Sequence, residues 1–176
     1  MLSSGHMAAN HHLHYGGGTN YLCLPEEPQW KNQTSVDAHT GWLSGVEYDF
    51  HGNYPRFFST ANTGGRPLHQ NPVPCAVCYV PQRSASLMIP ARNNSPVGWT
   101  QEYGGYLMSD HSFSIQHWNQ PRAGMSYICG DQAPEIANGT KSRRQAWLEV
   151  VRVDCGMLPC SKYPTGAELT CVVCTK

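Results

Sequence analysis

Along the chain, apolar residues fall in short runs where they alternate with polar ones, and clusters of Gly, Pro and Asn separate the runs. A period of two marks a strand with one buried face, and no window repeats its apolar positions at the three-to-four spacing of an amphipathic helix. The pattern predicts strands over Asn20–Leu24, Gly45–Phe50, Ala76–Val80, Ser86–Ile89, Gly105–Met108, Met125–Cys129, Ala146–Val153 and Leu169–Thr175. In Ala146–Val153, Trp147, Glu149 and Val151 fall on one face and Leu148 and Val150 on the other. Pro25, Pro81 and Pro90 close the strands before them, because proline has no N–H to give to a ladder. The expected fold is all-β: a compact, disulfide-bonded antiparallel β-sheet domain with long Gly/Pro-rich loops. Helix is expected in under about 10% of the chain, well below the usual third.

Two connections stand out by length, Phe57–Pro74 and Ser109–Gly124, and long ordered loops on a β scaffold often carry function. Residues 1–15 read as an N-terminal extension and residues 16–176 as a single cysteine-rich β domain. No internal repeat emerges, and no Gly-X-Y period of a collagen triple helix is present.

Composition narrows the class. Charged residues make up 14% of the 176, against about 25% in an ordinary soluble domain. Twelve basic side chains balance twelve acidic ones, which excludes the basic face of a nucleic-acid binder. Nine Tyr, five Trp and four Phe exclude a disordered chain. No stretch approaches the roughly 20 apolar residues of a membrane-spanning helix, so no membrane span is expected.

The eight cysteines, Cys23, Cys75, Cys78, Cys129, Cys155, Cys160, Cys171 and Cys174, are even in number and spread over most of the chain, as in a disulfide framework. The sequons Asn32-Gln33-Thr34, Asn93-Asn94-Ser95 and Asn138-Gly139-Thr140 point the same way, to a secreted, extracellular protein. Met1–Asn10 has neither the basic segment nor the apolar run of a secretion signal, so secretion implies that a leader was removed.

The competing reading is zinc, held by the pairs Cys75-Ala76-Val77-Cys78 and Cys171-Val172-Val173-Cys174. Their wide separation and apolar spacers argue against it. On a strand, positions i and i+3 also face opposite ways, which suits bridges to separate partners. A thioredoxin-like redox pair is disfavoured because neither CxxC opens a helix. His11, His12 and His14 could ligate a metal, but a solvated terminus is the expected state of such a segment. No nucleophile elbow, P-loop or H-E-x-x-H occurs, and nothing selects a triad around His39 or His111, so no enzyme is expected.

Several blocks together resemble a known family. Gly16-Gly17-Gly18-Thr19-Asn20-Tyr21-Leu22-Cys23-Leu24-Pro25 is similar to the start of the non-collagenous C-terminal domain of sponge-type short-chain collagens and related marine-invertebrate secreted proteins. The likeness continues through Pro74-Cys75-Ala76-Val77-Cys78-Tyr79, Leu87–Ala91, Trp99–Tyr103 and Gly105–Met108. It closes with Cys129–Gln132, Cys155–Cys160 and Glu168–Lys176. The resemblance implies a secreted, cysteine-bridged domain that self-associates, as a trimer or a multiple of one, and it transfers no catalytic residue. The chain departs from the family by lacking a collagenous region and by its segment His111–Gly124.

A free-standing domain of this kind is expected to bind glycans as a metal-independent, multivalent lectin without a cofactor, since no carboxylate set resembles a calcium loop. The candidate site is the loop carrying Asp110, His117, Trp118, Asn119 and Gln120, which combines a planar ring with amide and carboxylate groups. Trp99 and Tyr103 with Glu102 form a second candidate, although Trp99 leans to a structural role. Trp42 is evenly placed between the two roles, and Trp147 is expected to pack in the core. The alternative is a structural extracellular-matrix or biomineral-associated oligomerisation domain without a small ligand.

Overall fold

The computed structural model describes residues 1–12, 17–31, 41–50, 58–110, 124–140 and 145–176. The fold is all-β. Among the described residues nine strands join one curled sheet, and the helical content is one 3-10 turn, Ala61–Thr63. The strands are β1 (Ser3–Ala9), β2 (Leu22–Pro25), β3 (Ser44–Tyr48), β4 (Pro74–Val77), β5 (Ser86–Pro90), β6 (Thr100–Ser109), β7 (Ile128–Asp131), β8 (Ala146–Val150) and β9 (Thr170–Thr175). Each expected strand overlaps an observed one. The main path runs β2-β1-β3-β8-β6-β9-β5, with β4 added to β1 and β7 added to β6. Every pairing is antiparallel except β3 with β8, which run parallel.

Two positions depart from the expectation. Residues 3–9 are not part of an extension: β1 pairs with β2, β3 and β4, and Ala8 and Ala9 are buried. The segment SSGHMAA carries too weak an apolar alternation to read as a strand, and its burial comes from long-range pairing. Cysteine pairing also differs. The bridges are Cys23–Cys75, Cys129–Cys171 and Cys155–Cys160, while Cys78 and Cys174 are free thiols. The i, i+3 spacing in β9 separates the two sulfurs of CVVC as expected. Cys171 joins Cys129 in one apolar cluster, and buried Cys174 receives a hydrogen bond from the Ser95 hydroxyl instead of meeting another cysteine. Cys78 follows β4 and is exposed. With Cys75 and Cys171 bridged elsewhere, the two CxxC pairs do not converge into a four-thiolate zinc site.

The sheet curls twice, around β1 and around β6. Gly5 of β1 lies between Pro25 of β2 and Cys75 of β4, and Gly105 of β6 lies between Asp131 of β7 and Cys171 of β9. A Cβ on Gly5 would sit 1.8 Å from the Leu24 carbonyl oxygen, and one on Gly105 would sit 2.0 Å from that of Gly130. Only glycine lets the flanking strands fold this closely over the middle one.

The main core packs Val46, Tyr48 and Phe50 of the β3 region against Ala146 and Leu148 of β8, with Phe58, Leu68, Val73 and Met108. These residues alternate with a second, polar set on the same strands.

Candidate functional site

Alternation along β3 sends Val46 and Tyr48 to the core and Glu47 to the opposite face, and Asp49 continues that parity. Alternation along β8 does the same with Ala146 and Leu148 against Trp147 and Glu149. The parallel register sets Glu47 beside Trp147, so this face of the sheet gathers carboxylates around one indole.

Glu47 is only 4% exposed. The Trp147 indole N–H donates to its carboxyl, yet Oε2 has no hydrogen-bond partner. Burial pushes the carboxyl up to about 7, and the nearby Asp49 charge adds to the rise, against the opposing pull of the Trp147 hydrogen bond. Asp49 is itself buried, with Oδ1 3.3 Å from His69 Nδ1.

Trp147 is held on several sides. His12 stacks on it at a centroid distance of 3.9 Å, and His11 stacks on His12 at 4.6 Å. The His12 backbone N–H and its Nδ1 both meet the Gln145 carbonyl oxygen, and the Tyr21 hydroxyl donates to the Trp147 carbonyl at 3.1 Å. Burial, with the Asp110 and Glu149 charges, raises the Tyr21 phenol and keeps it a donor. The His11-His12 segment is therefore built into the structure rather than solvated. Trp147 is half-buried on the polar face, outside the apolar cluster where core packing would have placed it.

Beside Glu47 lies a cavity of about 360 Å³, within the range of small-ligand sites. Gln70, Gln145, Asn138 and Thr140 contribute to its lining, with His6 and Pro72. By strand parity His6, Gly45 and Glu47 share one face, and Met7 and Val46, of the opposite parity, also line the cavity. Among the described residues none of its lining groups is Lys or Arg; Met7, Val46, Pro72 and Val73 make much of the wall apolar, and His6, Glu47, Gln70, Gln145, Asn138 and Thr140 set polar groups among them.

The expected loop site fares differently. His117, Trp118, Asn119 and Gln120 lie outside the described residues, as do His14, His39 and His111. Asp110 is half-buried, one residue past β6, where its charge acts on Tyr21. In the second candidate, Glu102 sits at a bulge in β6 and is taken up by Arg83 and Thr175. Tyr103 donates its hydroxyl to the Cys129 carbonyl at 3.2 Å, and Trp99 is half-buried. Trp42 is exposed at 67%.

Sequence reasoning missed Glu47, Gln70 and Gln145. A signal for the first was present: in Val46-Glu47-Tyr48-Asp49-Phe50 two acids alternate with three apolar residues, which puts both on one face. Gln70 and Gln145 reach the cavity only through tertiary folding and leave no local pattern.

Among the described residues, no group of His, Cys, Asp and Glu is disposed to hold a metal ion, and no helix is long and apolar enough to cross a membrane. Comparison with protein-family models, with curated proteins and with solved structures found no match to this chain.

Proposed function

We propose that the protein is a carbohydrate-binding protein that holds an uncharged sugar in the cavity beside Glu47 without a metal ion. The observation that carries this reading is the wall itself. Gln70, Thr140 and Gln145 offer neutral donors and acceptors beside Glu47. The apolar share of the wall, from Met7, Val46, Pro72 and Val73, suits the C–H face of a sugar ring. Without Lys or Arg in the lining, a phosphate or carboxylate ligand would meet no balancing charge.

Three disulfides fit an extracellular protein. Secretion, a trimer or multiple of one, and kinship with sponge-type short-chain collagen domains belong to this proposal. So does a contribution from the loop 117–120, and size-exclusion chromatography with light scattering tests the assembly. The second reading, a matrix or biomineral-associated domain, draws on the exposed aromatics Trp30, Trp42, Tyr79 and Tyr127, which offer assembly surface.

A glycan array with oxidised protein free of N-linked glycans tests the first reading. Binding should fall at least tenfold in Gln70→Ala and in Gln145→Ala. No binding to any glycan by folded protein would reject the lectin. Loss in Trp118→Ala with Gln70→Ala unaffected would move the site to the loop.

A further inference from the structure

The connection from β7 to β8 carries the sequon Asn138-Gly139-Thr140, and its three residues are exposed at the rim of the cavity. Just before it, the Ala137 N–H donates to the Pro72 carbonyl at 3.0 Å, which fixes this segment against Pro72 at the cavity. The Asn138 amide makes no hydrogen bond within the described residues, so nothing there competes with its modification. The other described sequon is differently placed. Asn93 accepts a hydrogen bond from Asn94, Ser95 is half-buried with its hydroxyl on the Cys174 sulfur, and Pro96 follows.

We propose that Asn138 is an acceptor for an N-linked glycan and that the attached sugar screens the cavity beside Glu47. In the transfer, Asn138 Nδ2 bonds to the anomeric carbon of a lipid-diphosphate-linked oligosaccharide. The anomeric C–O bond breaks with its electron pair leaving on the diphosphate, and one amide proton passes to a base of the transferase. The first sugar is then anchored at a residue that itself lines the cavity, in the segment that packs against Pro72. A sugar on Asn138 extends over the opening that His6, Gln70 and Gln145 also line, and shields that wall from solvent.

The test expresses the full chain behind a secretion leader in insect cells and maps glycopeptides by mass spectrometry. Asn138 should be occupied and Asn93 unmodified. Asn138→Gln and Thr140→Ala should each remove the glycan, and Thr140→Ser should restore part of the occupancy. Hydrogen–deuterium exchange should then run slower over residues 45–47 and 70–73 in the glycosylated protein than in Asn138→Gln or Thr140→Ala. An unmodified Asn138 in folded, secreted protein overturns the site, and equal exchange in the two forms overturns the screening. Neither readout involves a free saccharide, so the outcome stands apart from the binding proposed above.

Discussion

Cys129 and Cys171 sit on the two strands that flank β6, yet their Cα atoms are 5.7 Å apart. In a flat sheet, strands two places apart lie about 9.5 Å from each other. The sheet therefore closes over β6, and Gly105 is the residue it closes on. Cys23 and Cys75, 5.6 Å apart across β1, repeat the device around Gly5.

This arrangement ranks the bridges. The Cys129–Cys171 link spans 42 residues and Cys155–Cys160 spans 5, so chain-entropy loss assigns them about 4 and about 2 kcal/mol. Paired Cys→Ala variants measured by urea unfolding should keep that order. Gly105→Ala should be worse than its size implies, because the methyl meets backbone rather than a yielding side chain, and little folded protein should be recovered. A Gly105→Ala variant with wild-type stability would remove the curl as an explanation.

Glu47 makes stability fall with pH. Its carboxyl titrates at about 7 in the folded chain against 4.5 when exposed, so between these values the native state holds a proton that the unfolded state has released. Stability is then highest below about pH 4.5 for this group, declines as pH rises to 7 and is flat above, by about 3 kcal/mol in all. Glu47→Gln should flatten that segment of the profile. Urea midpoints at pH 4.5, 5.5 and 7.5 for both proteins give the comparison, and parallel profiles would refute the assignment.

Trp147 does two jobs that substitutions separate. Phenylalanine keeps a ring for His12 to stack on but loses the N–H given to Glu47, whereas alanine loses both. The first change should cost about 1–3 kcal/mol, mostly as an unsatisfied carboxyl. The second should cost more, toward the 3–5 kcal/mol of large-to-small aromatic changes. Trp147→Phe should also push the Glu47 titration above 7, readable as a shifted stability profile.

Local pattern carried most of the fold. Alternation located every strand but β1, whose Gly5 and Ser3-Ser4 start hide a strand buried by long-range partners. The candidate site was legible only in part. Glu47 and Asp49 alternate visibly with apolar neighbours, but the burial that moves Glu47's titration depends on β8 lying parallel beside it. Trp147 looked like core because its neighbours are apolar, and parity rather than neighbourhood decides its face. Bridging likewise could be expected of eight cysteines, but which two stay reduced depends on geometry that spacing does not encode.

Those two thiols differ in a way that reagents can count. Cys78 is exposed, whereas Cys174 is fully buried on β9 between β5 and β6, with its sulfur on Ser95. A thiol must reach solvent as thiolate to attack an aromatic disulfide reagent. In native protein Cys78 should react within minutes, and Cys174 only at the rate of opening or unfolding. Guanidinium should then release the second equivalent. Cys78→Ser should abolish the fast phase with little change in stability, as for a surface position. Cys174→Ala should abolish the slow phase and destabilise by about 1 kcal/mol through the lost sulfur packing. Two fast thiols would mean that β9 is not sealed, and none even in guanidinium would mean that Cys78 and Cys174 are oxidised.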